Sequence, residues 1–116
     1  MYHCFGMVMG NLGALCHGAS VVYPAPSFHA AKTLRALVDE KCTGIFGVPT
    51  MFTQMITEHG SAPPIPSLRT GLMAGSSCPE QLMLQVCCHL LTRHACLLYL
   101  LYLLPATGRV PMCFTF

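Results

Sequence analysis

Three short apolar runs, "ASVVY", "GIFGV" and "LRTGLMA", alternate along the chain with segments of helical pattern. Strand, helix, strand, helix, strand, helix is the order of βαβ units, which join into a parallel sheet through right-handed crossovers. The expected fold class is therefore α/β, with alternating βαβ units forming a partial parallel sheet. The first run is β-branched and bounded by Gly18 and Pro24, and the second is stopped by Pro49; both read as buried strands.

The helices follow from spacing. In "HAAKTLRALVDEK", Ala30, Ala31, Leu34, Leu37 and Val38 recur at helical intervals, while Lys32, Arg35 and Asp39 fall on the other face. Ser27 stands where it can cap this helix, and Thr50 is placed to cap the next, which carries Phe52, Met55 and Ile56 on one side. In "SSCPEQLMLQVCCHLL", Ser77 and Glu80 have capping-box spacing and Pro79 sits in the first turn, where a missing N–H costs little. Ahead of the first strand, "MVMGNLGALC" crowds apolar and small residues onto every face. That pattern predicts a buried helix packed closely through Gly10 and Gly13. "HGSAPPIPS" reads as a turn-rich linker.

Charge is scarce. Of 116 residues 53% are hydrophobic and 9% charged, against roughly 25% charged in an ordinary soluble domain. A self-contained domain covers itself with polar surface, so the deficit points either to membrane contact or to an interior piece whose faces further chain covers. A net charge of +2 is too small and too scattered for a nucleic-acid partner. Eight cysteines, in a Leu- and Met-rich chain with no secretory signal before them, point to reduced thiols and not to a disulfide framework.

"YHCFG", "GASVVYPAPSF", "GIFGVPTMF" and "SLRTGLMAGSSCPEQLM" follow one another in an order and spacing that resembles the middle of the large N-terminal domain of adenylate-forming (AMP-binding) enzymes, in particular fatty acyl-CoA synthetases. The resemblance implies a two-step ligase. ATP and a carboxylic acid give an acyl-adenylate and pyrophosphate, and the thiol of coenzyme A then displaces AMP. For the whole enzyme it implies ATP, Mg2+ and coenzyme A, a fatty acid or other carboxylic acid as substrate, and mitochondria as the compartment. It also implies site residues. His3, in "HCFG", matches the histidine beside the reacting carboxylate, where a hydrogen-bond donor stabilises developing charge. Gly47, Val48, Pro49 and Thr50 match the motif that borders the acyl pocket. Gly75, Ser76, Ser77 and Cys78 match a loop against adenine and the acyl group, beyond the carboxyl end of a strand, where open α/β sheets bind ligands.

Other parts of the family pattern have no counterpart here. No Ser/Thr/Gly-rich phosphate loop precedes "MYHCFG", and "ACLLYLLYLLPATGRVPMCFTF" stands where a Tyr-Gly-x-Thr-Glu motif with a magnesium-binding glutamate is due. No acidic residue follows Glu80, and the catalytic lysine of the family's small C-terminal domain has no match. The expectation is a piece of a fatty acid–CoA ligase, inactive alone and binding no cofactor alone. Residues 1–88 are then a partial AMP-binding domain, and residues 89–116 a divergent hydrophobic tail from a shifted frame or alternative exon. No metal site is expected, because Cys87, Cys88, His89, His94 and Cys96 match no standard zinc spacing. The apolar residues 95–104 fall short of the roughly 20 needed to span a bilayer, which leaves a buried strand or helix, or an interfacial tail. The alternative function is a small non-enzymatic interaction or membrane-associated protein that binds through this tail.

Overall fold

A computed structural model of the chain describes residues 3–91 and 112–114. A π-helical segment, Phe5–Leu12, runs directly into α1 (Gly13–Cys16). Then come β1 (Val21–Val22), α2 (Ala30–Asp39), β2 (Gly44–Gly47), α3 (Pro49–His59), β3 (Thr70–Met73), α4 (Glu80–His89) and β4 (Met112–Phe114). All strand pairs are parallel and the sheet order is β1-β4-β2-β3. The α/β alternation read from the sequence is the observed one, with an added strand. β4 lies between β1 and β2, with Met112 opposite both Val21 and Gly44. The apolar run 95–104, with His94 and Cys96, lies outside the described residues.

Helix α2 packs on α3, and α3 on α4, in one layer over the sheet. The steps from β1 to β2 and from β2 to β3 run in one direction, so crossovers of one hand place α2 and α3 on one face; α4 joins them there by packing on α3 through Leu82 and Val86. Between this layer and the sheet sit Leu37, Ile45, Phe52, Met55, Met73, Leu82 and Val86, all buried. In α2 the inward stripe is Thr33 and Leu37, flanked by half-buried Ala30 and Leu34. Val38, expected on that stripe, is 55% exposed, because a helix resting on a sheet buries a narrow line and each next residue turns about 100° away from it. Lys32, Arg35 and Asp39 face solvent as expected, with Arg35 Nε 3.2 Å from Asp39 Oδ2. The linker after α3 contributes to the core: Ile65 and Leu68 are buried, and Ile65 N–H donates to Leu90 O at 3.1 Å.

None of the three expected caps forms a side-chain hydrogen bond. Helix α2 starts from His29 and not from Ser27. Helix α3 starts from Val48 with Pro49 as its first residue, which leaves Thr50 inside the first turn. Helix α4 starts from Pro79, so Ser77 lies outside the cap position. In the last two, proline's fixed φ sets where the helix starts, and neither hydroxyl stands at the cap position.

The first helical segment also departs from expectation. Gly6, Gly10 and Ala14 form its buried stripe, while Met7, Val8, Met9, Leu12 and Leu15 are 42–75% exposed. Small residues four apart let the backbone lie close to its support, and the larger side chains are turned outward. The wide turn is π in character: Gly13 N–H reaches Val8 O, five residues back. Among the described residues, side-chain ties link this segment to the sheet region. The Phe5 and Phe46 rings stand 6.3 Å apart at 50°, and the Tyr23 hydroxyl donates to Asn11 Oδ1. Partial burial raises the Tyr23 phenol above its ordinary 10.0, against the lowering effect of its hydrogen bond with Asn11. Ile45 points into the α2–α4 layer, so its neighbour Phe46 points to the opposite face of the sheet. The N-terminal segment therefore meets the sheet on the face that α2–α4 leave open.

Candidate functional site

Strands β2 and β3 end side by side, with Gly47 in register with Met73. One step further, Ala74 N–H donates to Gly47 O at 3.3 Å, prolonging the pairing past the last strand residues. From β2 the chain turns at Val48, whose carbonyl accepts from Met51 N–H at 3.0 Å and Phe52 N–H at 3.3 Å, and so enters α3 at once. Pro49 is buried beneath this turn and Thr50 is exposed on it.

From β3 the chain enters a loop of small residues. Gly75 has φ 95 and lies so close to the other turn that a Cβ on it would stand 3.0 Å from Val48 Cγ1. Gly75, Ser76 and Ser77 are exposed. Half-buried Cys78 folds the loop back, its Sγ donating to Met73 O and to Ser76 O, each at 3.5 Å. The structure thus brings Gly47–Thr50 and Gly75–Cys78 together as one shelf at the carboxyl edge of the parallel sheet. Low side chains leave that edge open, two serine hydroxyls stand on it, and the amino end of α3 directs partial positive charge toward it.

His3 lies on the N-terminal segment, which meets the other face of the sheet through Phe5 and Phe46. It is exposed at the start of the π-helical segment, and its carbonyl accepts from Met7 N–H at 2.9 Å. Its Nδ1 accepts from Phe5 N–H at 3.3 Å, with Cys4 Sγ 3.7 Å away. A ring nitrogen that accepts carries no proton, so the neutral imidazole presents Nε2–H. His3 makes no hydrogen bond to either shelf loop among the described residues; its link to them runs through Phe5 and Phe46, the residue before Gly47. The Phe5–Phe46 and Tyr23–Asn11 ties were not singled out from the sequence. No local pattern in the sequence marks either of them.

Magnesium takes oxygen ligands and favours carboxylates alongside phosphates. Asp39, Glu40 and Glu58 lie at the far ends of α2 and α3, beside the amino edge of the sheet, and Glu80 in the first turn of α4 is the one carboxylate near the shelf. The described residues therefore do not make a magnesium site. No three His, Cys, Asp or Glu among them gather to hold a metal ion. Cys87 packs against the core while Cys88 is exposed, so these adjacent thiols face apart. Among the described residues no helix is long and apolar enough to cross a membrane.

Residues 1–98 match the family model for AMP-binding enzymes. The chain is 45% identical over 84 residues to the acyl-CoA ligase SID4 of Ajellomyces capsulatus, covering 72% of this chain and 14% of that one. It is 37% identical over 87 residues to the mitochondrial medium-chain acyl-CoA ligase ACSF2 of Danio rerio, covering 74% of this chain and 14% of that one. With the corresponding Mus musculus protein the figures are 38% over 84 residues, 72% and 14%. The chain thus spans about 14% of the length of these curated relatives.

Proposed function

The chain belongs to the AMP-binding enzyme family, and from that premise we propose that it carries part of the acid-activating site of a fatty acid–CoA ligase. In the whole enzyme a carboxylate oxygen attacks the α-phosphorus of ATP and pyrophosphate leaves; the coenzyme A thiol then attacks the acyl carbon and AMP leaves. Gly47–Thr50 wall the acyl chain, and Gly75–Cys78 lie against adenine and the acyl group. His3 donates from Nε2–H to oxygen on the reacting carboxylate or phosphorus, a preorganised donor at developing charge. The observation that carries this reading is the close approach of Gly75 to Val48, near enough that an added Cβ would stand 3.0 Å from Val48 Cγ1, at the strand ends where parallel sheets bind ligands.

Mg2+ neutralises the charge of ATP phosphates when bound, and the described residues do not supply its ligands. The chain alone is therefore expected to give no carboxylate-dependent ATP–pyrophosphate exchange above a no-protein control. Likeness to vertebrate relatives named mitochondrial supports mitochondria as the compartment of the whole enzyme.

A transplant tests the site. Residues 1–88 replace the matching segment of the Danio rerio medium-chain ligase, and octanoate-dependent exchange is measured on the folded chimera. Activity is expected, and His3→Ala should slow adenylation by about 10² to 10³, the scale of one lost charge-stabilising donor. A folded chimera with no exchange overturns the proposal. Full activity in the His3→Ala chimera reduces His3 to a surface residue.

A further inference from the structure

We propose that Phe46 is a positioning residue for His3, acting through the ring of Phe5. The inference rests on the reading of His3 as the donor at the reacting carboxylate.

The segment that carries His3 is loosely keyed. Its buried stripe is Gly6, Gly10 and Ala14, and its bulky side chains face solvent. Small residues permit close approach but offer no knob that fixes rotation about the helix axis. Among the described residues, the Tyr23–Asn11 tie lies well along this segment, and the Phe5–Phe46 tie lies at the end that bears His3. The π-helical turn adds a degree of freedom, since tightening it by one residue to α geometry would swing the N-terminal end by about 100°.

A continuous path leads from the sheet to the imidazole. Phe46 sits on β2, which is paired on both sides, by β3 and β4, and it directly precedes Gly47 of the shelf. Its ring meets that of Phe5 at 6.3 Å in a tilted arrangement, a geometry that favours one relative orientation. The backbone N–H of Phe5 in turn donates to His3 Nδ1 at 3.3 Å. That bond fixes both the ring's orientation and its tautomer, and so the direction of Nε2–H. Phe46 thereby refers the donor to the same strand end that forms the shelf.

Two measurements test this. In the full 116-residue chain, imidazole 15N shifts separate a bare acceptor nitrogen from an N–H. His3 should show one tautomer, with bare Nδ1; Phe46→Ala should give a tautomer mixture, and Phe46→Tyr, which keeps the ring, should restore the single form. An unchanged His3 spectrum in Phe46→Ala overturns the proposal without touching the ligase reading. In the chimera, Phe46→Ala should lower kcat about 10- to 100-fold with KM for ATP and octanoate within about twofold, and should cost nothing further in a His3→Ala background, the non-additivity of residues acting as one unit. Phe5→Leu should reproduce that pattern and serves if Phe46→Ala fails to fold. An equal loss in both backgrounds marks a purely structural role and sinks the proposal while His3 keeps its assignment. If His3→Ala is itself harmless, both readings fall.

Discussion

A methyl group at Gly75 would meet two obstacles at once. The backbone there has φ 95, a conformation that L side chains rarely adopt, and the added Cβ would stand 3.0 Å from Val48 Cγ1. Gly75→Ala should therefore destabilise the chain by about 1–3 kcal/mol, read as a lowered urea midpoint at constant slope. At Gly71 the obstacle is backbone: a Cβ would lie 2.9 Å from Ile45 O in the paired strand. Side chains yield more readily than a hydrogen-bonded strand, so Gly71→Ala should cost more than Gly75→Ala. Ser76→Ala, at an exposed position, should stay within about 0.5 kcal/mol. A larger effect there would mean that the hydroxyl braces the loop.

Strands and helices were legible in the sequence where one local signal acted alone. "GIFG" is an apolar run closed by Pro49, and β2 ends two residues before that proline. The Phe52 and Met55 side of α3 went inward as its spacing required. The caps expected at Thr50 and Ser77 failed where two signals competed, because proline fixes φ whether or not a hydroxyl stands nearby; at α2 no proline marks the start, and the helix begins from His29, two residues past Ser27. Thr50→Ala and Ser77→Ala should accordingly change stability by no more than about 0.5 kcal/mol, since neither side chain caps a helix. Phe52→Ala, at a fully buried position, should cost about 3–5 kcal/mol, and paired thermal and urea melts of the three variants check the contrast. The first helix was misread because an all-apolar composition does not say which apolar side is thinner. Of the site, the meeting of Val48 with Gly75 follows from the adjacency of β2 and β3, the common arrangement for successive strands, which β1 and β2 depart from because β4 lies between them. The meeting of Phe5 with Phe46 does not, because it joins opposite faces of distant segments and no local periodicity encodes it.

For the whole molecule, the informative feature is the strand between β1 and β2. Among the described residues β1 pairs with β4 alone, so Val21 and Val22 join the sheet only through Met112 and Cys113. Deleting residues 112–116 should strip amide protection from residues 21–22 while Ile45 and Leu72, paired to each other's strands, keep theirs. Hydrogen exchange reads this directly, and retained protection at β1 would show that the order of strands is otherwise. The same arrangement sets two clocks for folding. The β2–α3–β3 unit joins neighbours in sequence and closes a short loop, whereas bringing β1 beside β4 gathers the two ends of the chain. Closure of long loops slows folding more than it weakens the final state. Substitutions in α3 should thus be felt in the rate of refolding, and substitutions along β1 in the rate at which the finished molecule comes apart.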